Sequence, residues 1–82
     1  MKNKLIAIVE TFINGNISTA KKEIKGVRLN SYDILECSYL FGLNKTIKIL
    51  KKLKLNDTVI INSFYDHSSS QLDEVKTILL NY

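Results

Sequence analysis

Seven lysines make the most distinctive chemical pattern in this sequence. Lys45, Lys48, Lys51 and Lys52 fall within eight positions and share one arc of a helical wheel, with no acid among them. Lys21, Lys22 and Lys25 form a similar, shorter group upstream. Like charges at i,i+3 and i,i+4 each cost a helix a few tenths of a kcal/mol. Two readings follow: the helices tolerate that cost and the lysines merely solvate their surfaces, or an acidic partner, a protein surface or nucleic acid, relieves it.

Reactive residues are scarce by comparison. His67 is the single histidine, flanked by Asp66 and Ser68. A catalytic triad assembles its members in space, and three consecutive residues do not converge on one point. His67 therefore reads as a solvated loop residue. Cys37, the only cysteine, sits within an apolar helical stripe and reads as a small buried hydrophobe, not a nucleophile. One histidine and one cysteine do not make a metal site, and the three glycines are too dispersed for a phosphate-binding loop. No catalytic residue, metal or cofactor is expected.

With 82 residues, 45% of them apolar, the chain has the size and composition of one folded domain. A core this small leaves marginal stability, and a homodimer stays open as a route to more burial. A lone cysteine excludes an internal disulfide and suits a reducing cytosol. Glu10 interrupts the apolar run after Lys2 and Lys4, which argues against a signal peptide. No stretch approaches the ~20 apolar residues of a membrane span. Charge is uneven. Residues 1–56 carry eleven Lys and Arg against four acids, a balance of +7, and residues 57–82 carry one lysine against four acids, −3.

The elements that must hold the lysines are helical. Leu5, Ile8, Val9 and Phe12 repeat at helical spacing, widened by Ile6 and Ile13, and predict helix one over Asn3–Asn14, stopped at Gly15. Helix two is expected from an Asn16 cap to Lys25, with Ile17, Ala20 and Ile24 inward and Gly26 as its stop. Helix three starts at Asn30 or Ser31, with Asp33 in a weak capping arrangement. Ile34, Cys37, Ser38 and Phe41 form one stripe, Leu35 and Tyr39 a second, and Leu40 fills much of the rest. A helix apolar on most sides is usually buried, which places it at the centre of the fold. Helix four, about Asn44 to Lys54, sets Leu43, Thr46, Ile47, Ile49, Leu50 and Leu53 opposite the lysine arc. The core requires that apolar face, which argues against a membrane-surface role.

Residues 57–65 carry a conflict. Thr58 to Ile61 favour a strand by propensity, yet Ile60, Ile61 and Phe64 fit a helical face, and a lone strand has nothing to pair with. Helix is the expectation. Asp66–Ser69 reads as a loop, and Ser70 as the cap of a final helix with Leu72, Val75, Ile78 and Leu79 inward.

Offsets of 26 to 28 residues recur weakly: Glu10 with Glu36, Gly15 with Gly42, and Thr19-Ala20-Lys21 with Thr46-Ile47-Lys48. They suggest units 3–29, 30–56 and 57–82, each an αα hairpin, stacked to share one core. The segment CSYLFGLNKTIKILKKL resembles the helix–turn–helix half of an ankyrin repeat at Gly42, Ile47, Lys48 and Leu50. It departs from that pattern in lacking a Thr-Pro opening, a His after the glycine and the period of about 33 residues. This resemblance implies a stacked-helix interaction module. FINGNISTAKKEIK resembles segments of small helical proteins of phages and mobile elements of AT-rich Gram-positive bacteria, which implies an accessory or inhibitory role.

The expectation is an all-α domain of five or six short helices in stacked antiparallel hairpins. It would be a non-enzymatic cytoplasmic interaction protein docking an acidic partner through Lys21, Lys22, Lys25, Lys45, Lys48, Lys51 and Lys52. Tyr32, Tyr39 and Tyr65 are candidate interface anchors, with core packing as the alternative for each. The alternative function is a DNA-binding helix-turn-helix built on helices three and four, with lysines on phosphates. Helix four carries no Arg or Gln to read base edges, and its one Asn, Asn44, stands at its start.

Overall fold

A computed structural model describes residues 3–28, 31–53, 56–64 and 69–81. They form six helices: α1 Lys4–Ile13, α2 Ile17–Ile24, α3 Ser31–Phe41, α4 Leu43–Lys52, α5 Asp57–Ser63 and α6 Ser69–Leu80. No strand occurs among the described residues. The helices pair in sequence as hairpins, α1 with α2, α3 with α4 and α5 with α6. The Cα radius of gyration is 11.8 Å, against about 12 Å expected for a compact chain of this length. The hairpins thus wrap one core and do not extend into an open array.

Two glycines set the sharp turns. Asn14 ends α1, Gly15 follows at φ 93°, its N–H bonds to the Phe12 carbonyl at 3.0 Å, and the Asn16 N–H bonds to the Thr11 carbonyl at 3.1 Å. That pair of bonds is a Schellman motif, which satisfies carbonyls the helix end would otherwise leave open. Between α3 and α4 the turn is a single residue, Gly42, at φ 91° and ψ 143°. Gly26, expected to stop α2 in the same way, lies outside the left-handed region, and α2 ends at Ile24 through ordinary turn bonds.

Asparagines do more capping than the sequence announces. Asn3 Oδ1 accepts from the N–H groups of Leu5 and Ile6 at 2.9 and 3.3 Å, while its Nδ2 donates to the Asp33 carbonyl at 3.1 Å. One side chain therefore caps α1 and ties it to α3. Asn56 Oδ1 accepts from the Val59 N–H at 2.9 Å and starts α5. Asn16 occupies the cap position of α2, but its side chain makes no capping bond. Ser70 lies inside the first turn of α6, because that helix already begins at Ser69. The rest of the expected Asp66–Ser69 loop, the Asn30 cap, Lys54, Tyr65 and His67 lie outside the described residues.

The core joins Leu5, Ile8 and Val9 of α1, Ala20 and Ile24 of α2, Ile34 and Cys37 of α3 and Ile47, Ile49 and Leu50 of α4. Leu53, Ile60, Phe64, Val75 and Leu79 complete it. Each large apolar side chain buried this way contributes about 1.5–3 kcal/mol. Within the 57–65 stretch, Asp57–Ser63 is helical, as expected, with Phe64 in the turn that follows and Tyr65 outside the described residues. Packing Ile60 and Phe64 against the core outweighs the strand preference of its β-branched run.

The centre of the fold is α4, not α3. Helix α4 packs against α1, α3, α5 and α6 and buries Thr46, Ile47, Ile49 and Leu50. Helix α3 buries only Ile34 and Cys37, while Tyr39 is 80% exposed and Leu40 63% exposed. An apolar count around a helix does not say which sides acquire neighbours. Here α3 sits at an edge, with Tyr39 and Leu40 facing outward.

Thr46 is fully buried and its Oγ1 has no hydrogen-bond partner. An unsatisfied buried hydroxyl costs about 1–3 kcal/mol, and an apolar group of the same shape does not carry that cost. Thr46→Val is therefore expected to raise stability by about 1 kcal/mol, read as a higher urea midpoint at unchanged slope. A lower midpoint would show that the hydroxyl is bonded in solution.

Candidate functional site

The C-terminal end of α1 lies beside the outer side of α4, and between them runs an open groove of about 560 Å³. Phe12 and Ile13 enter from α1, and Asn44, Lys45, Lys48, Ile49 and Lys52 from α4. Local folding explains the arrangement. Ile49 is held by the buried arc of α4, which leaves Lys45, Lys48 and Lys52 on the exposed arc. Phe12 packs against the core, and Ile13, the last residue of α1, remains 41% exposed. The result is an apolar floor with a cationic rim, and no acid stands among the described lining residues. A second groove between α1 and α2 is smaller, about 320 Å³, and its lining sets Glu23 alongside Lys4. The α1/α4 groove thus combines more volume with charge of one sign.

This site divides the seven lysines. Lys45, Lys48 and Lys52 line the groove together. Lys51 is half-buried and turns the other way, its Nζ donating to the Leu79 carbonyl at 3.4 Å near the end of α6. A cation there suits the negative end of the helix dipole, so Lys51 has a structural task. Lys21 and Lys22 of α2 and Lys25, which follows its last residue as the C-cap, are not among the groove's lining residues. Phe12 and Ile13 form the part of the site that sequence reasoning missed. Both were read only as part of the inward stripe of α1, and nothing in their local spacing shows that the last turn of that helix comes to lie beside α4.

The tyrosine anchors separate as well. Tyr32 and Tyr39 are exposed rather than packed in the core, seven residues apart on one stripe of α3, and neither lines the α1/α4 groove. Tyr39 borders a different depression, shared with Gln71 and Glu74 of α6.

Cys37 is fully buried. Burial pushes its thiol from 9.0 up to about 12, with the Asp33 and Glu36 carboxylates adding to the rise. A protonated, enclosed thiol is a poor nucleophile, which supports its reading as a core residue. Two results are expected. A thiol reagent should modify native Cys37 only as fast as the domain opens. Stability should be constant below about pH 9 in respect of this group, then decline as pH rises toward 12. In that window the unfolded thiol loses its proton and the native one keeps it, at most about 1.4 kcal/mol per pH unit. A flat urea midpoint from pH 8 to 10.5, or rapid labelling of the native protein, would contradict this picture.

The DNA-reading geometry can be compared directly. A helix-turn-helix motif joins its helices by a turn of about three to four residues and projects the second helix into the major groove. Here Gly42 alone separates α3 from α4, and α4 has neighbours in all three hairpins. Among the described residues, no group of three or more His, Cys, Asp or Glu side chains is placed to hold a metal ion. No described helix is long and apolar enough to cross a membrane. Comparison with protein-family models, with curated proteins and with solved structures returns no match.

Proposed function

We propose that this chain is a small, non-enzymatic protein–protein interaction domain, an accessory or inhibitory factor that docks an acidic partner surface in the cytosol. The observation that carries this reading is the α1/α4 groove, where Phe12, Ile13 and Ile49 supply apolar contact beneath Lys45, Lys48 and Lys52. A surface that sets aliphatic and aromatic contacts beside a row of one charge suits a protein interface, in which the apolar part gives affinity and the charged row gives partner choice and encounter rate. A phosphate backbone would use the lysines and leave the floor unoccupied. The lysines of α2 add to the positive field that steers an acidic partner inward.

The test compares the wild type with a Lys45→Glu, Lys48→Glu, Lys52→Glu variant in affinity capture from the native host, followed by titration of the captured protein. The variant changes only exposed side chains and is expected to fold with the same helical circular dichroism. Binding should weaken at least about tenfold, roughly 1.4 kcal/mol. Reversing Lys21, Lys22 and Lys25 instead should slow association and leave dissociation nearly unchanged. A partner held equally well by the folded groove variant would refute the reading. Micromolar duplex-DNA binding with a steep salt slope would replace it by the nucleic-acid one.

A further inference from the structure

Resting on that reading, we infer that the groove takes its acidic partner as a helix: an amphipathic segment with carboxylates along one stripe and large apolar side chains beside them. Backbone chemistry carries the argument. Both walls of the groove are helices, α1 and α4, whose internal peptide groups are already bonded within their own turns. An extended peptide laid over Phe12, Ile13 and Ile49 would find no ladder for its N–H and C=O groups and would bury them unsatisfied. A helix brings its backbone bonds with it. A single helix therefore covers this floor without that loss, and it presents side chains at the same rise per residue as the lysine row.

The rim fits the same occupant. Lys45, Lys48 and Lys52 stand at i, i+3 and i+7 on α4, so they climb about 10 Å along its axis at 1.5 Å per residue. Acids spaced i, i+3 or i+4, and i+7 on a partner helix climb by the same steps. The residues beside that stripe then face the floor, in the helix-in-groove manner. The domain already packs its own helices this way, and the bound segment would be one more helix against α1 and α4.

The probe is a designed peptide of roughly 15 residues, with Glu at i, i+3 and i+7 and Leu or Phe on the adjoining stripe. It is compared with a scrambled peptide of the same composition and with one carrying a central proline, which breaks the helix. Anisotropy titration should give at least tenfold tighter binding for the amphipathic peptide, with a gain of helical circular dichroism on binding. Lys45→Glu/Lys48→Glu/Lys52→Glu and, separately, Ile13→Asn at the exposed edge of the floor should each weaken it severalfold. Equal binding of all three peptides would overturn the helical occupant and leave the acidic-partner reading standing. Failure of every peptide, together with salt-sensitive binding of duplex DNA, would overturn both. A concentration-dependent dimer abolished by the triple lysine variant would show that the occupant is a second copy, and the partner assigned here would be wrong.

Discussion

Leu50→Ala is expected to remove about 2–5 kcal/mol of folding free energy. An 82-residue domain at about 0.05–0.15 kcal/mol per residue holds roughly 4–12 kcal/mol in total, so this one change leaves a large unfolded fraction or no fold at all. Leu50 is fully buried on α4, the helix against which α1, α3, α5 and α6 all pack. The cavity opens where neighbours come from several directions, and one helix cannot settle into it without leaving another. Leu40→Ala on α3 is the matched comparison. That side chain is mostly exposed, and its loss should stay within about 0.5 kcal/mol. Urea denaturation of the two variants decides which helix is central. A larger loss at Leu40 than at Leu50 would return α3 to that place.

Gly42→Ala is expected to cost about 1–3 kcal/mol. At φ 91° and ψ 143° the residue lies near a region that glycine alone visits readily. Beyond its two chain neighbours, a Cβ built there meets no atom within 4 Å, so the penalty is local backbone strain and not a clash with a packed neighbour. Asparagine separates the two turns. Gly15 sits at the Schellman position, where asparagine is the accepted substitute, and Gly15→Asn should cost less than Gly15→Ala. At position 42 asparagine gains nothing over alanine, because its tolerance is for the left-handed helical ψ near +47°. Equal urea midpoints for wild type and Gly42→Ala would show that the α3–α4 turn relaxes to a conformation open to any residue.

Much of the architecture was legible in the spacing of apolar residues. The stripe of α4 was read in full: Thr46, Ile47, Ile49, Leu50 and Leu53 are buried and Leu43 half-buried. Its contrast with the lysine arc left no ambiguity about which side faced inward. Repeated glycines marked two turns because positive φ is a local demand, visible without knowledge of neighbours. Helix α3 misled for the opposite reason. Tyr39 and Leu40 make it apolar on nearly every side, and only tertiary placement at an edge leaves those side chains outside. The groove was half legible. Lys45, Lys48 and Lys52 announce themselves, but Phe12 and Ile13 reach them from more than thirty positions away. No local pattern encodes that meeting. Lys51 looked like its neighbours in the arc until the end of α6 arrived beside it.

The shared helix also governs how substitutions combine. In a linear array of repeats, stability is close to a sum of unit terms and nearest-neighbour interfaces, and such a chain shortens or lengthens by whole links. Here α1 belongs to the first hairpin and α6 to the third, yet both lean on α4. Changes made in those two helices meet at a common neighbour, so their free energies are non-additive, in the manner of residues joined through a shared contact. The three hairpins are therefore expected to unfold together, and deleting one of them to destabilise the other two.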